Sequence, residues 1–265
     1  MEGKNILIVA DIVSVGRVGA MASAKILNQE GYQTAILPTA LVSNNFGYEK
    51  YAMEDTEKYL NEAIDVWRKL DFSFNVIMTG FIPSESQATK IAVFCRQQRE
   101  KGTKIVIDPV MGDGGTLYSG LPESIVSIMR NMVGMADVTC PNYTEACYLT
   151  DTNCDKSDIS LPMAYEMIDK IRSFGAQSVV ITSVSIDQQP SVAGYDDNTK
   201  EYFCIHYDEI PVVFSGTGDI FAAVMVTSLD KGETLKEAVQ TAVDTLSDLI
   251  MKNKDYPDKY MGLPI

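Results

Sequence analysis

The sequence predicts an α/β fold in which a mainly parallel sheet lies between two layers of helices. Short apolar runs alternate with helix-like segments of roughly 10 to 18 residues along nearly the whole chain. This alternation is typical of parallel sheets, because parallel strands need long crossover connections that are usually helices. The chain has 265 residues, 46% of them hydrophobic, which is enough to bury a large core. We therefore expect residues 1–265 to form one domain, a three-layer α/β/α sandwich.

The elements follow one another in a regular order. Short apolar runs predict strands at residues 5–10, 33–37, 75–78, 104–107, 137–139 and 178–182. The second strand is expected to end before Pro38. Longer runs with helical periodicity predict helices at residues 18–30, 55–70, 84–101, 122–133, 143–149, 162–174, 218–229 and 234–252. Residues 191–195 and 200–206 flank the polar run 196–199 and predict an antiparallel hairpin.

Polar motifs come after the predicted strands. Ligands of open α/β sheets bind outside the carboxyl ends of the strands. The residues that follow the first, third, fourth, fifth and sixth predicted strands are Asp11, Gly80, Asp108, Asn142 and Thr182. We expect them to contribute to a single site.

The run 214–221, FSGTGDIF, is the most informative motif. A Gly-Thr-Gly turn leads directly into an apolar helix, so backbone N–H groups are left free at the helix N-terminus. Those groups and the helix dipole can stabilise the charge of a transferring phosphoryl group. Asp219 lies beside them and can accept the proton of an attacking hydroxyl. In the alternative interpretation, Thr217 or Asp219 merely caps the helix.

The run 108–118, DPVMGDGGTLY, begins a glycine-rich flap that is expected to continue to residue 120. Its glycines free the backbone to close over a nucleotide, while Asp113 and Thr116 offer polar contacts and Tyr118 an aromatic edge. The alternative is a surface turn rich in Asp and Gly. The flap contains no Lys or Arg, so the charge on bound phosphates would have to be balanced by Mg²⁺ and a helix N-terminus.

The run 141–146, PNYTEA, has two interpretations. Asn142 and Glu145 have the spacing of a capping box, which needs no ligand. Beside a phosphate site, the same amide and carboxylate could orient water around Mg²⁺, which prefers oxygen ligands.

Composition excludes several classes of protein. The formal charge of −14 and the lack of a Lys/Arg-rich run argue against nucleic acid as a partner. No signal-peptide pattern or stretch of about 18 apolar residues is found, so we expect a soluble, cytoplasmic protein without membrane contacts. The P-loop and dinucleotide-binding motifs are missing. Five cysteines without a C-x-x-C pair indicate neither a disulfide framework nor a zinc site.

These motifs together resemble the pyridoxal kinase branch of the ribokinase-like small-molecule kinases, over nearly the whole chain. The matching runs occur in the family's order, namely VGRVG at 15–19, LPT at 37–39, SN at 43–44, TGF at 79–81, DPVMGD at 108–113, PNYTEA at 141–146 and SGTGD at 215–219. The resemblance implies a ribokinase-like kinase domain that uses ATP and Mg²⁺, and a homodimer, since pyridoxal kinases are usually dimers.

The resemblance also implies residue roles. Asp219 would be the catalytic base, with the amides of Gly216, Thr217 and Gly218 as the anion hole. Magnesium would be held near Asp108 and Glu145. The implied ATP side comprises Asp108, Asp113, Thr116, Tyr118, Asn142, Glu145, Thr182 and Ser183. The implied substrate side comprises Asp11, Ser43, Asn44 and Phe81.

The substrate side departs from the family pattern. Pyridoxal kinases commonly have Ser-Asn-His-Thr-Gly where this chain has SNNFG at 43–47, and often Ser-His where it has Asp11 and Ile12. Asp11 could pair with a ring nitrogen or an amine, or could only cap the first strand; Phe46 could pack on an aromatic ring. The expected activity is ATP-dependent phosphorylation of the 5′-hydroxymethyl group of pyridoxal, pyridoxamine or pyridoxine. The alternatives are a hydroxymethylpyrimidine kinase of thiamine biosynthesis and a noncatalytic pyridoxal phosphate-binding homologue.

Overall fold

A nine-stranded sheet forms the middle layer of the protein in the computed structural model, which describes residues 4–48, 50–118, 121–154 and 158–265. Its strands in chain order are β1 (Asn5–Val15), β2 (Gln33–Asn44), β3 (Met53–Asp55), β4 (Val76–Thr79), β5 (Lys104–Ile107), β8 (Val138–Thr139), β9 (Ser178–Ile186), β10 (Gln189–Asp196) and β11 (Glu201–His206). A separate hairpin between β5 and β8 consists of β6 (Gly112–Asp113) and β7 (Thr116–Leu117).

The strand order is β11-β10-β9-β8-β5-β4-β1-β2-β3. The six strands from β9 to β2 are parallel to their neighbours, whereas β10, β11 and β3 join the two edges in antiparallel pairs. The predicted parallel sheet is therefore confirmed, and its carboxyl ends share one edge.

Eight helices cover the two faces of the sheet in the described part of the chain: α1 (Ala20–Gln29), α2 (Glu57–Lys69), α3 (Glu85–Glu100), α4 (Ile125–Val133), α5 (Tyr143–Thr150), α6 (Leu161–Ser173), α7 (Thr217–Asp230) and α8 (Leu235–Asn253). Strand residues alternate between two cores because successive side chains point to opposite faces. Leu7 and Val9 pack in the core that includes α2 to α6. Ile6 and Ile8 pack in the core that includes α1, α7 and α8. This arrangement is the predicted α/β/α sandwich. None of the helices described could span a membrane.

The second strand does not end at Pro38, as the sequence had suggested, but continues to Asn44. The Pro38 carbonyl accepts a hydrogen bond from Thr56 Oγ1 at 2.6 Å, so it points away from β1. The N–H and C=O of one strand residue point the same way, so the N–H that proline lacks also falls on the side away from β1. Likewise β1 reaches Val15, and Asp11 therefore lies within the strand rather than after it.

The strand β9 is also longer than expected. It continues to Ile186, so Thr182 and Ser183 lie inside it, and it pairs with β10 through a tight turn. The predicted hairpin around 196–199 is confirmed as β10 and β11. The first part of the predicted flap folds as the β6–β7 hairpin, while its last residues, Ser119 and Gly120, lie outside the described residues.

Candidate active site

The N-terminus of α7 opens at the carboxyl edge of the sheet. The helix begins at Thr217, and Gly216 before it has no side chain to cap the first turn. The first helical hydrogen bond runs from Ile220 N–H to Gly216 C=O at 3.2 Å. No described residue accepts a hydrogen bond from the amides of Gly216, Thr217, Gly218 or Asp219. Four backbone donors and the helix dipole are therefore free for an anion.

Two glycines keep this turn compact and accessible. Gly216 has φ +80°, and a Cβ there would lie 2.9 Å from Val18 Cγ1 and 3.0 Å from the Arg17 carbonyl oxygen. The turn can thus pack against residues 17 and 18 only if position 216 is glycine. A Cβ at Gly218 would meet nothing nearer than Asp108 Oδ2, at 3.9 Å. Gly218 therefore leaves its side of the turn open to a ligand.

Asp219 is held by one backbone donor. Its Oδ2 accepts a hydrogen bond from Gly19 N–H at 2.7 Å, and Oδ1 accepts none from any described residue. Burial raises the pKa of Asp219 to about 6, and the Gly19 hydrogen bond acts in the opposite direction. The carboxyl group is therefore mostly ionised at neutral pH, as a general base must be.

Gly80, which follows β4, leaves space beside the free oxygen of Asp219. A Cβ at position 80 would lie 4.0 Å from Asp219 Oδ1 and 3.1 Å from Ala10 Cβ. The carboxylate consequently faces a space bordered by Ala10 of β1 and the end of β4.

Further acidic side chains surround Asp219 without basic partners. Burial raises the pKa of Asp11 to about 7, and the charge of Asp219 adds to this effect. Burial, followed by the charges of Glu145 and Asp219, raises the pKa of Asp108 well above its usual range. In the described ranges, no Lys or Arg forms an ion pair with any of the four carboxyl groups, those of Asp11, Asp108, Glu145 and Asp219. A bound cation would favour the ionised forms of these crowded carboxyl groups, so this edge of the sheet is suited to one.

The N-terminus of α5 is closed by its own side chains. Asn142 Oδ1 accepts from Glu145 N–H and Glu145 Oε2 accepts from Asn142 N–H, both at 2.9 Å, which is a complete capping box. Glu145 Oε1 accepts from Met111 N–H at 3.0 Å, and Asn142 Nδ2 donates to the Gly112 carbonyl at 2.9 Å. Burial raises the pKa of Glu145 to about 8, although the backbone hydrogen bonds that its carboxylate accepts lower it. Through their hydrogen bonds to Met111 and Gly112, Asn142 and Glu145 hold the base of the β6–β7 hairpin in place.

The predicted flap residues lie next to that helix. Asp113 Oδ1 accepts from Gly114 N–H at 2.8 Å, and Gly115 N–H donates to Thr144 Oγ1 at 2.9 Å. The side chains of Thr116 and Tyr118 are exposed.

The predicted residues of β9 reach the same region. Thr182 N–H donates to the Pro141 carbonyl at 3.0 Å. Ser183 is exposed, with φ +54°, where β9 bulges against β10. The sheet thus brings β9, the N-terminus of α5 and the hairpin together.

An aromatic cluster borders the other side of the site. The Phe46 ring lies 5.4 Å from the ring of Phe81 and 4.8 Å from that of Tyr51, between centroids. The side chains of Ser43 and Asn44, at the end of β2, form local hydrogen bonds: Ser43 Oγ donates to Asn44 Oδ1 at 2.7 Å and Asn44 Nδ2 donates to the Lys50 carbonyl at 2.9 Å. Their side chains support the loop that carries Phe46.

Few side chains at this edge of the sheet are placed to bind a metal ion directly. Within the described ranges, no group of three or more His, Cys, Asp or Glu side chains is placed to bind a metal ion. Magnesium commonly uses one or two carboxylates together with water and substrate phosphates. Both oxygens of Glu145 already accept backbone hydrogen bonds, whereas the Asp108 carboxylate accepts none from described residues. Asp108 is therefore the more available of the two expected ligands.

Sequence reasoning missed the role of Gly19. The only signal was the glycine pair in the run VGRVG at 15–19. Gly19 has φ +59°, and a Cβ there would lie 2.7 Å from Asp11 Oδ1. Only glycine can therefore bring its N–H to Asp219 while passing so close to Asp11.

An uncapped helix N-terminus with an adjacent carboxylate, at the carboxyl edge of an α/β/α sheet, is the arrangement expected of a small-molecule kinase of the ribokinase-like class. The comparisons with known proteins agree. The chain belongs to the phosphomethylpyrimidine kinase family, whose model matches residues 14–262.

Individual relatives refine this placement. A Bacteroides thetaiotaomicron protein, provisionally named a phosphomethylpyrimidine kinase, is 32% identical with a TM-score of 0.95, covering 100% of this chain and 92% of that one. A second crystal form of it was obtained with pyridoxal, with 32% identity, a TM-score of 0.93 and coverage of 99% and 92%. Leishmania donovani pyridoxal kinase with ADP and pyridoxamine is 26% identical with a TM-score of 0.81, covering 98% and 96%. Arabidopsis thaliana pyridoxal kinase is 29% identical over 91% of this chain and 79% of its own.

Proposed function

We propose that the protein transfers the γ-phosphoryl group of ATP to the 5′-hydroxymethyl group of a B6 vitamer. The observation that carries this proposal is the free Oδ1 of Asp219 beside the uncapped N-terminus of α7. A base and an anion site next to each other are what phosphoryl transfer to an alcohol requires. Pyridoxal kinases among the relatives, some of them in complexes with B6 vitamers and ADP, support this choice of substrates.

Asp219 orients the attacking alcohol. Its Oδ1 accepts a hydrogen bond from the hydroxymethyl group, which occupies the space left open by Gly80. The alcohol oxygen attacks the γ-phosphorus in line, the bond to the β-phosphate oxygen breaks, and ADP leaves with the bonding electrons. Asp219 receives the alcohol proton, while the amides of Gly216, Thr217 and Gly218 stabilise the charge on the transferring group.

Magnesium fits the remaining acidic residues. Asp108 would hold it, with Glu145 and Asn142 orienting its water, and it would neutralise charge on the phosphates. The described part of the flap, 112–118, contains no Lys or Arg that could do so instead. The side chains of Asp113, Thr116, Tyr118, Thr182 and Ser183 would contact the nucleotide.

The vitamer would lie between β1 and the aromatic cluster. Phe81 and Phe46 offer rings on which a pyridine can pack. Asp11, buried behind Gly19, would pair with a protonated ring nitrogen or with the amine of pyridoxamine. Ser43 and Asn44 would act through the loop that they support. The family's name also keeps hydroxymethylpyrimidine as a second candidate substrate, since it too carries a hydroxymethyl group on a ring.

A substrate panel tests the proposal. ADP release is measured with ATP and, in turn, pyridoxal, pyridoxamine, pyridoxine and hydroxymethylpyrimidine, each with Mg²⁺ and again with excess chelator. We expect B6 vitamers to stimulate ADP release with Mg²⁺ and activity to disappear in chelator. Stimulation by hydroxymethylpyrimidine alone would identify the second candidate. Vitamer binding without turnover would identify a noncatalytic binding protein.

The site is also proposed to function within one domain, as a cytoplasmic homodimer. Size-exclusion chromatography with light scattering tests the dimer, because it gives a mass of about one or about two chains.

A further inference from the structure

The last twelve residues, 254–265, form a strap that runs back from α8 across the active-site edge. Leu263 anchors it, fully buried in the core of α1, α7 and α8. A short 3-10 turn at Lys259–Met261 precedes that anchor, with Asp258 Oδ1 accepting from Tyr260 N–H at 3.1 Å. The strap therefore follows a defined course over this region.

The strap contacts three separate loops of the site. The Lys259 carbonyl accepts from Ser215 N–H at 3.2 Å, directly before the anion-hole turn. Tyr48 OH donates to Asp258 Oδ2 at 2.5 Å, which ties the Phe46 loop to the strap. The Met261 carbonyl accepts from Arg17 N–H at 2.8 Å. One segment thus joins the substrate loop, the anion hole and the loop before α1.

Arg17 makes several of these connections. Its Nε donates to the Leu263 carbonyl and its guanidinium donates to the Gly262 carbonyl, both at 2.9 Å. The guanidinium also lies 5.2 Å from the centroid of the Tyr256 ring. A Cβ at Gly262 would lie 2.3 Å from the Arg17 carbonyl oxygen, so backbone and side chain are both enclosed by the strap.

Arg17 is connected to the reacting groups on its other side. Its carbonyl oxygen and Val18 pack directly against Gly216, the first residue of the anion hole. Two residues further on, Gly19 N–H holds Asp219 at 2.7 Å. A shift of the 17–19 segment would therefore displace both the base and the phosphate donors.

We propose that Arg17 is a positioning residue, through which the strap keeps Asp219 and the anion hole in register. The proposal builds on the proposed kinase activity, because the effect on turnover presupposes that Asp219 is the base.

The test replaces Arg17 and a matched control arginine. Arg130 donates in the same way, from Nε to Leu149 and from its guanidinium to Tyr148, both at 2.8 Å, and lies 5.8 Å from the Phe174 ring centroid. Its contacts join α4 to the C-terminal end of α5, away from Asp219. Arg17→Met and Arg130→Met therefore remove similar backbone and ring contacts. Arg130→Met additionally removes an ion pair with Asp151 at 2.6 Å, and only Arg17→Met affects the strap.

Two readouts are compared. We expect Arg17→Met to lower kcat about 10- to 100-fold with the KM for ATP changed less than twofold, since misplacement of about 1 Å can cost 100-fold. Hydrogen–deuterium exchange should increase at residues 16–21 and 214–220 and stay unchanged in α2. Arg130→Met should leave kcat within twofold and exchange at both segments unchanged. Parental kcat and parental exchange in Arg17→Met would overturn the proposal.

A second variant covers the case in which Arg17→Met unfolds. Arg17→Lys keeps the charge and one donor, so it should show smaller losses of turnover and protection, confined to the same two segments. Equal increases in exchange at α2 would mean that Arg17 supports the whole fold, and would overturn the proposal. Hydrogen–deuterium exchange tests the positioning role of Arg17 even if no vitamer is phosphorylated. A lack of phosphorylation would refute only the proposed activity.

Discussion

The helices α5 and α7 both begin at the carboxyl edge of the sheet, but their N-termini are opposite in character. At α5, Asn142 and Glu145 satisfy each other's backbone amides. At α7, Gly216 leaves the first-turn amides without an acceptor among the described residues. The closed terminus contributes to stability and holds a hairpin, whereas the open one keeps its donors for a ligand.

The difference shows which sequence signal marks an anion site. Both termini have a carboxylate within the first turn, Glu145 in one and Asp219 in the other. What separates them is the residue before the helix, which is Asn in one and Gly in the other. Changes at the open terminus should therefore affect turnover without loss of stability, while changes at the closed terminus should reduce stability.

The largest effect is expected from Asp219→Asn. The amide keeps the shape of the side chain but cannot accept the alcohol proton, so kcat should fall about 10²- to 10⁴-fold while ATP still binds. Steady-state kinetics and calorimetric ATP binding measure the two quantities. Asp230→Asn, at the other end of α7, is the matched control and should leave kcat unchanged. Turnover of Asp219→Asn within twofold of the parent would remove Asp219 as the base.

Asp11→Asn should stabilise the protein as the pH rises. The pKa of Asp11 is about 7 in the folded protein against 3.8 in its ordinary state, because of burial and then Asp219. Relative to high pH, the raised pKa of Asp11 increases the free energy of unfolding below about pH 4. This contribution is lost as the pH rises through 7. The stability gain of Asp11→Asn over the parent should therefore grow by about 2 kcal/mol or more between pH 5 and pH 8.

Thermal unfolding at the two pH values measures this gain. Asp248→Asn removes an exposed carboxylate from α8 and serves as the control for the loss of one charge. If the Asp11→Asn advantage were the same at pH 5 and pH 8, Asp11 would not be titrating in this range.

Gly218→Ala should separate stability from function at the open terminus. The new methyl group would make only an ordinary contact with Asp108, and alanine favours a helix over glycine by up to about 1 kcal/mol. We expect an unchanged or higher Tm together with a tenfold or greater loss in kcat/KM for ATP, since the methyl group would obstruct the phosphates. Lys236→Ala, at the same position of α8, should change neither. Full activity of Gly218→Ala would show that phosphate binds elsewhere.

The smallest effect is expected at the closed terminus. Asn142→Ala removes the cap of α5 and the bond to Gly112, and should cost about 1 kcal/mol of stability. Thr234→Ala removes the cap of the equivalent box at α8, where Thr234 pairs with Glu237, and should cost a similar amount. Only Asn142→Ala should also raise the KM for ATP, through the hairpin. Identical kinetics of the two variants would restrict Asn142 to a capping role.

Much of this arrangement could be predicted from local sequence. Each predicted helix is present, because helical periodicity and caps such as Ser84 and Thr234 are encoded within a few residues. The open and closed termini were distinguishable by Gly216 and Asn142 for the same reason. The family and its activity followed from several such runs taken in order.

The errors arose where distant contacts decide the outcome. Pro38 continues a strand only because its carbonyl pairs with Thr56 and nothing needs its missing N–H. The β9–β10 turn uses Asp187 and Gln188 at φ 50° and 66°, positions where glycine or asparagine would have been the signal. Arg17 meets Gly262 across 245 residues of chain, and no local pattern announces such a contact.

Gly80 keeps open the space beside the proposed base. A Cβ at that position would lie 3.1 Å from Ala10 Cβ and 4.0 Å from Asp219 Oδ1. Any other residue there would place carbon where the attacking hydroxymethyl group is proposed to lie. The end of β4 would therefore limit the size of the group that can approach the base.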